Sequence, residues 1–122
     1  MRFMTIVKTR ETGARPSPAL IEKIGKLGEE AAQQGKMVGM GGLGPTTQGA
    51  CVRLANGKIT VTDGPFTEAK EVIGGFAIYD VASKGEAIEW THRFLEAHIG
   101  LWEQDLEVEV RQMMDGDPSK GC

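Results

Sequence analysis

Cysteine, histidine and aromatic side chains are all scarce in this chain. Its 122 residues include two cysteines, two histidines, two tryptophans, one tyrosine and four phenylalanines. Cys51 sits in a strand-like run and Cys122 in a polar terminal stretch, so no disulfide framework is expected and reduced thiols in the cytoplasm are the simpler reading. Together with His92 and His98 they offer no close Cys–Cys ligand pair, and the expectation is no metal and no cofactor. Charge of one sign is also lacking. Fourteen Lys and Arg stand against 17 Asp and Glu, for a net charge of −3. The basic footprint that nucleic-acid phosphates demand is therefore absent. No apolar run approaches the ~20 residues of a membrane span. The opening Met1–Val7 gives way at Lys8-Thr9-Arg10 too soon for a signal peptide. A cytoplasmic protein is expected, without nucleic-acid or membrane partners.

What is present is an ordinary globular composition, 40% hydrophobic and 25% charged, at single-domain length. A chain of this size buries roughly two-thirds of its unfolded surface, enough for one core. The domain is expected over residues 1–114, followed by a flexible polar tail over 115–122.

The spacing of apolar residues orders the elements. Arg2–Lys8 carries apolar side chains on both faces, which predicts a strand covered on both sides. Ser17-Pro18 opens a helix, with Ser as N-cap and Pro in the first turn. Leu20, Ile24, Leu27 and Ala31 give that helix its stripe, and Gly35 ends it. Gly25 and Gly28 each weaken it by ~1 kcal/mol relative to Ala, which predicts close backbone packing there. Met37–Met40 reads as a short strand running into a loop.

Asn56-Gly57 between two alternating runs predicts a two-residue hairpin turn. Folding about it pairs Leu54 with Ile59 and Val52 with Val61 on one face, and Arg53 with Thr60 and Cys51 with Thr62 on the other. Val72–Val81 predicts a further strand, with Gly74-Gly75 marking a bulge or a close approach. Ser83-Lys84-Gly85-Glu86 is a capping box opening a second helix, on which Glu89 and Arg93 have ion-pair spacing. Leu106–Met114 is the last strand. The order is β-α-β, a hairpin insertion, then β-α-β: an α+β, ferredoxin-like split βαβ with two helices on one face of an antiparallel sheet. The other face keeps its apolar side chains, which predicts a homodimer with sheets packed face to face.

Gly39-Met40-Gly41-Gly42-Leu43-Gly44 matches a dinucleotide fingerprint by letter, but Pro45-Thr46-Thr47 leads to a strand rather than a helix, so the match is rejected. The informative stretch is Thr62-Asp63-Gly64-Pro65-Phe66, followed by Glu68, Lys70 and Glu71. Asp63 can bond backbone amides ahead of it, Gly64 permits positive φ and Pro65 fixes the exit. Phe66 would anchor the loop. The charges that follow stand either as solvated loop residues or as a polar cluster at a pocket mouth, where a carboxylate can serve as a base. His98, at the end of the second helix, reads as packed or capping, and His92 as surface.

The run Thr62-Asp63-Gly64-Pro65-Phe66-x-Glu68-x-Lys70-Glu71, with Gly74-Gly75-Phe76 after it, resembles the signature of the DGPF proteins, a branch of the YCII-related family. Leu43-x-Pro45, Arg53 and Ser83–Phe94 extend the resemblance. It implies the fold of the dimeric α+β barrels, with a cleft between sheet and helices and the Asp63-Gly64-Pro65-Phe66 turn near it. By matching position, Arg53, Asp63, Glu68, Lys70 and Glu71 become candidate pocket residues. Some members of the family pair a first-helix His with an Asp for acid–base work; here the first helix has no His. The resemblance also implies a regulatory protein partner, through a link to sigma factors. Two expectations follow. One is a dimeric module binding an unidentified small molecule. The other is a lyase or isomerase in which Asp63 or Glu71 takes a proton while Arg53 or Lys70 holds an anionic group.

Overall fold

A computed structural model describes residues 1–65 and 71–114 of the chain. The elements are β1 (Arg2–Thr9), α1 (Pro18–Gln33), β2 (Met37–Gly42), a 3-10 turn (Thr46–Gln48), β3 (Ala50–Ala55), β4 (Lys58–Asp63), β5 (Val72–Asp80), α2 (Lys84–His98) and β6 (Leu106–Gln112). The proposed tail over 115–122 lies outside the described residues.

β1, β2, β5 and β6 form one antiparallel sheet in the order β2-β5-β1-β6, while β3 and β4 form a separate two-stranded sheet. The first strand of each βαβ half is thus central and the second lies at an edge, as a split βαβ arrangement requires. Local chemistry explains the helix starts. The Ser17 hydroxyl accepts from the Leu20 amide at 3.2 Å, and the Ser83 hydroxyl accepts from the Glu86 amide at 3.2 Å. Glu86 reaches back to the amide of Ala82 at 3.0 Å and also pairs with Lys36. These contacts satisfy amides that a helix start leaves unpaired.

Alternation along the strands decides which face meets the helices. Phe3, Thr5, Ala77 and Tyr79 are buried on the helix side with Leu27, Ala31, Ala87 and Trp90. Met4, Ile6, Phe76 and Ile78, on the opposite face, are only half-buried. Burial of the first set is the main favourable term in forming the layer. Arg93 departs from its expected Glu89 partner. It pairs with Glu30 of α1 and lies 4.8 Å from the centre of the Trp90 ring, because the two helices run side by side there.

The glycines divide. A Cβ on Gly28 would come 2.7 Å from the Met40 sulfur, so this helix position is held by close packing as expected. Gly25 has no neighbour within 4 Å of a Cβ, and the expectation of close packing there was wrong. Between Val7 and Lys8 the partner on β5 jumps from Gly75 to Ile73, leaving Gly74 as a bulge. β2 continues to Gly42, two residues beyond its expected end, because Gly41 and Gly42 pair with Phe76 and Gly75. The glycine-rich run is therefore partly strand.

The hairpin follows the expected register: Leu54 opposes Ile59 and Val52 opposes Val61 across Asn56-Gly57, whose φ values of 53° and 74° suit the turn. It stands apart from the main sheet. Val52, Leu54, Ile59 and Val61 are 66–71% exposed.

Candidate functional site

The helices do not seal the sheet completely. Between them and the strands lies a cavity of about 520 Å³. Its floor is formed by Thr5, Val7 and Thr9 of β1, Ala77 and Tyr79 of β5, and Leu106 and Val108 of β6. Leu20, Ile24, Leu27 and Gly28 of α1 form one wall, and Thr91, Phe94 and His98 of α2 form the other, with Trp102 beyond. Residues 10–16 and 43–45 make the rim. The site follows from sequence pattern: the apolar stripe of α1 and the inward positions of three strands converge, and Gly28 lets Met40 approach the helix.

The polar groups are few and mostly committed. The Thr5 hydroxyl donates to the Ala77 carbonyl at 3.3 Å, and the Thr91 hydroxyl donates to the Ala87 carbonyl at 2.8 Å. His98 Nδ1 lies 2.8 Å from the Phe94 carbonyl oxygen. A carbonyl can only accept, so Nδ1 carries the proton and Nε2 of the neutral ring is an acceptor. The imidazole packs against Phe94 at 4.7 Å between ring centres and meets Trp102 edge-on at 6.4 Å. The Trp102 indole N–H is buried and has no partner among the described residues. Burial pushes the Tyr79 phenol above its ordinary pKa, with Arg93 opposing, so it stays protonated at neutral pH.

The rim is tied down by Glu11. Its carboxylate accepts from the Thr46 hydroxyl at 2.5 Å and from the Thr46 amide at 2.8 Å. These two bonds hold Glu11 below the usual carboxylate range. Arg10 and Arg15 flank the same loop and form no ion pair among the described residues.

The residues singled out from sequence occupy a different region. Arg53 projects from β3 opposite Thr60, and Asp63 ends β4 opposite Ala50; both are exposed. The Gly64 amide donates to the Gly49 carbonyl at 2.9 Å, closing the base of the hairpin, and Pro65 is exposed beyond it. Glu71 is exposed just before β5, close enough to Lys8 to help raise that amine's pKa, after the larger effects of Glu109 and Glu107. None of these five residues lines the cavity. Phe66, Glu68 and Lys70 lie outside the described residues. His98 carries a role the sequence reading did not give it: it does cap and pack, and it also forms cavity wall. Its i−4 spacing from Phe94 on the apolar side of α2 was the available signal.

Among the described residues no group of three or more His, Cys, Asp or Glu side chains is placed to hold a metal. Nor is any helix among them long and apolar enough to cross a membrane.

An antiparallel sheet with two helices on one face makes this an α+β protein, with an apolar cleft between sheet and helices. The sequence model of the YCII-related domain matches residues 1–118, and the chain belongs to that family. It is also 38% identical over 66 residues to an uncharacterized protein of Rhizobium meliloti (strain 1021), a match covering 54% of this chain and 53% of that protein. The match thus spans about half the length of that relative.

Proposed function

We propose that this chain is a cytoplasmic small-molecule-binding protein of the DGPF branch of the YCII-related family, acting as a homodimer. The observation that carries the binding reading is the 520 Å³ apolar cavity between sheet and helices. Ligand pockets of about 300–1,000 Å³ are mostly apolar with a few placed polar groups, which is the character of this one. The cleft opens at the rim made by residues 10–16 and 43–45, which gives a small molecule a way in. Native mass spectrometry of protein purified gently from its own cytoplasm tests it. A bound mass of a few hundred daltons supports the reading, whereas failure to retain any small molecule, natural or added, counts against it.

The homodimer rests on two unpartnered apolar surfaces, the half-buried Met4, Ile6, Phe76 and Ile78 face and the exposed side of the hairpin. A lone two-stranded hairpin is marginal in water, and a second copy is the partner always at hand. Light scattering at micromolar concentration should report twice the chain mass of 13.2 kDa.

The acid–base alternative, with Asp63 or Glu71 taking a proton and Arg53 or Lys70 holding an anion, draws support from the mixed charges of Lys8, Glu71 and Glu107 at one end of the sheet. A regulatory role with a protein partner rests on the family resemblance alone.

A further inference from the structure

We propose that the ligand of this cavity is an apolar molecule bearing a hydrogen-bond donor, a hydroxyl or an N–H, and that His98 Nε2 receives it. The inference rests on the cavity-binding reading and names the chemistry within it. Most side-chain protons near His98 in the wall are already committed. The Thr5 and Thr91 hydroxyl protons are already given to the carbonyls of Ala77 and Ala87. The Nδ1 proton of His98 is given to the Phe94 carbonyl, 2.8 Å away. What these three residues have left to offer is lone pairs, two hydroxyl oxygens and one imidazole nitrogen, while the Trp102 indole N–H beyond them is a donor without a partner among the described residues. Of the three acceptors, the neutral imidazole nitrogen is the strongest.

The ring is also held in place. Phe94 packs on it at 4.7 Å and Trp102 meets it at 90°, so little side-chain freedom is lost when a partner arrives. A ligand with only acceptors cannot pair with Nε2, whereas a ligand donor can. A ligand with one donor on a flat apolar body satisfies it. Phe94, Leu20 and Leu27 supply the surfaces for such a body.

Indole and indene test this, because they share one shape and differ in whether the ring position carries N–H or CH2. Binding is measured at mildly alkaline pH by titration calorimetry and by ring nitrogen NMR. The chain has only two histidines, so His92, exposed on α2 outside the cavity lining and bonded to Glu96, is an internal control. The proposal predicts that indole binds about three- to tenfold more tightly than indene. It also predicts that indole moves the His98 Nε2 resonance while indene does not, and that His92 is unmoved by either. His98→Phe should make the two affinities equal. Equal affinities in the native protein, with cavity resonances shifting for both, would overturn the donor proposal and leave the cavity reading standing. Absence of binding by both would remove the cavity reading and this proposal together. Should His98→Phe fail to fold, the nitrogen shifts of the native protein still decide.

Discussion

Two glycines one turn apart in α1 provide a controlled test of how tightly this core is packed around its cavity. Gly25 is exposed with open space where a Cβ would stand, whereas Gly28 is buried with the Met40 sulfur 2.7 Å from that position. Replacing either by Ala gains about 0.8–1 kcal/mol of helix propensity. At about 2.1 cal/mol/K per residue, a chain of 122 residues has an unfolding entropy near 0.26 kcal/mol/K, so 1 kcal/mol moves Tm by about 4 °C. Gly25→Ala should therefore raise Tm by about 3–4 °C. Gly28→Ala makes the same gain but must displace a thioether, and overpacking costs typically 1–3 kcal/mol. A flexible methionine gives way more easily than backbone, which places the cost toward the lower end. Calorimetric melting should thus find Gly28→Ala about 4–8 °C below Gly25→Ala. In a Met40→Ala background the two shifts should converge, as a double-mutant cycle requires of contacting residues. If both single variants raise Tm equally, Met40 does not press on α1 and the described cavity wall is wrong.

Other predictions follow from individual groups. Tyr79 is the chain's single tyrosine, and its burial raises the folded pKa above the ordinary 10.0. The stability this contributes is complete below pH 10 and lost as pH rises through the folded value. Tyrosinate absorbance should accordingly emerge only above pH 10 and together with unfolding; ionisation at the ordinary value with the fold intact would contradict this. Glu11 is depressed below 4.5 by its bonds from Thr46, so its clasp holds above that pH and is lost as pH falls through the folded value. Amide exchange in residues 10–16 should rise in that acid window, and Glu11→Gln should loosen the same loop at neutral pH; a loop indifferent to both would refute the clasp. If the proposed homodimer uses the hairpin, Leu54→Lys with Val61→Lys should give a folded monomer by light scattering, and a dimer that persists would remove the hairpin from the interface. For the acid–base alternative, Asp63→Asn and Glu71→Gln should abolish turnover of any identified substrate, and full retention by both would end it.

The parts of the fold that were legible in the sequence are those written in local chemistry. Ser17-Pro18, Ser83 with Glu86 and Asn56-Gly57 each specify a backbone event within four residues, and each occurs where expected. The hairpin register followed because alternation of period two leaves one alignment that keeps Val52, Leu54, Ile59 and Val61 together. Spacing along one helix was less informative about Arg93, whose partner Glu30 comes from the neighbouring helix. Gly25 and Gly28 look alike in sequence, and only the position of β2 separates them. The cavity was the least legible feature. It is made by side chains from six elements, none unusual alone, and the dense charges around Asp63 and Glu71 drew attention to another part of the chain.

Whether the helix-side cavity receives a small molecule is decided by mapping a titration of indene by NMR. The predicted result is saturable shifts concentrated at Val7, Leu20, Met40 and Phe94, with Arg53, Leu54 and Asp63 unmoved. Saturable shifts centred on Arg53, Asp63 and Glu71, or no saturable shifts at all, would contradict it.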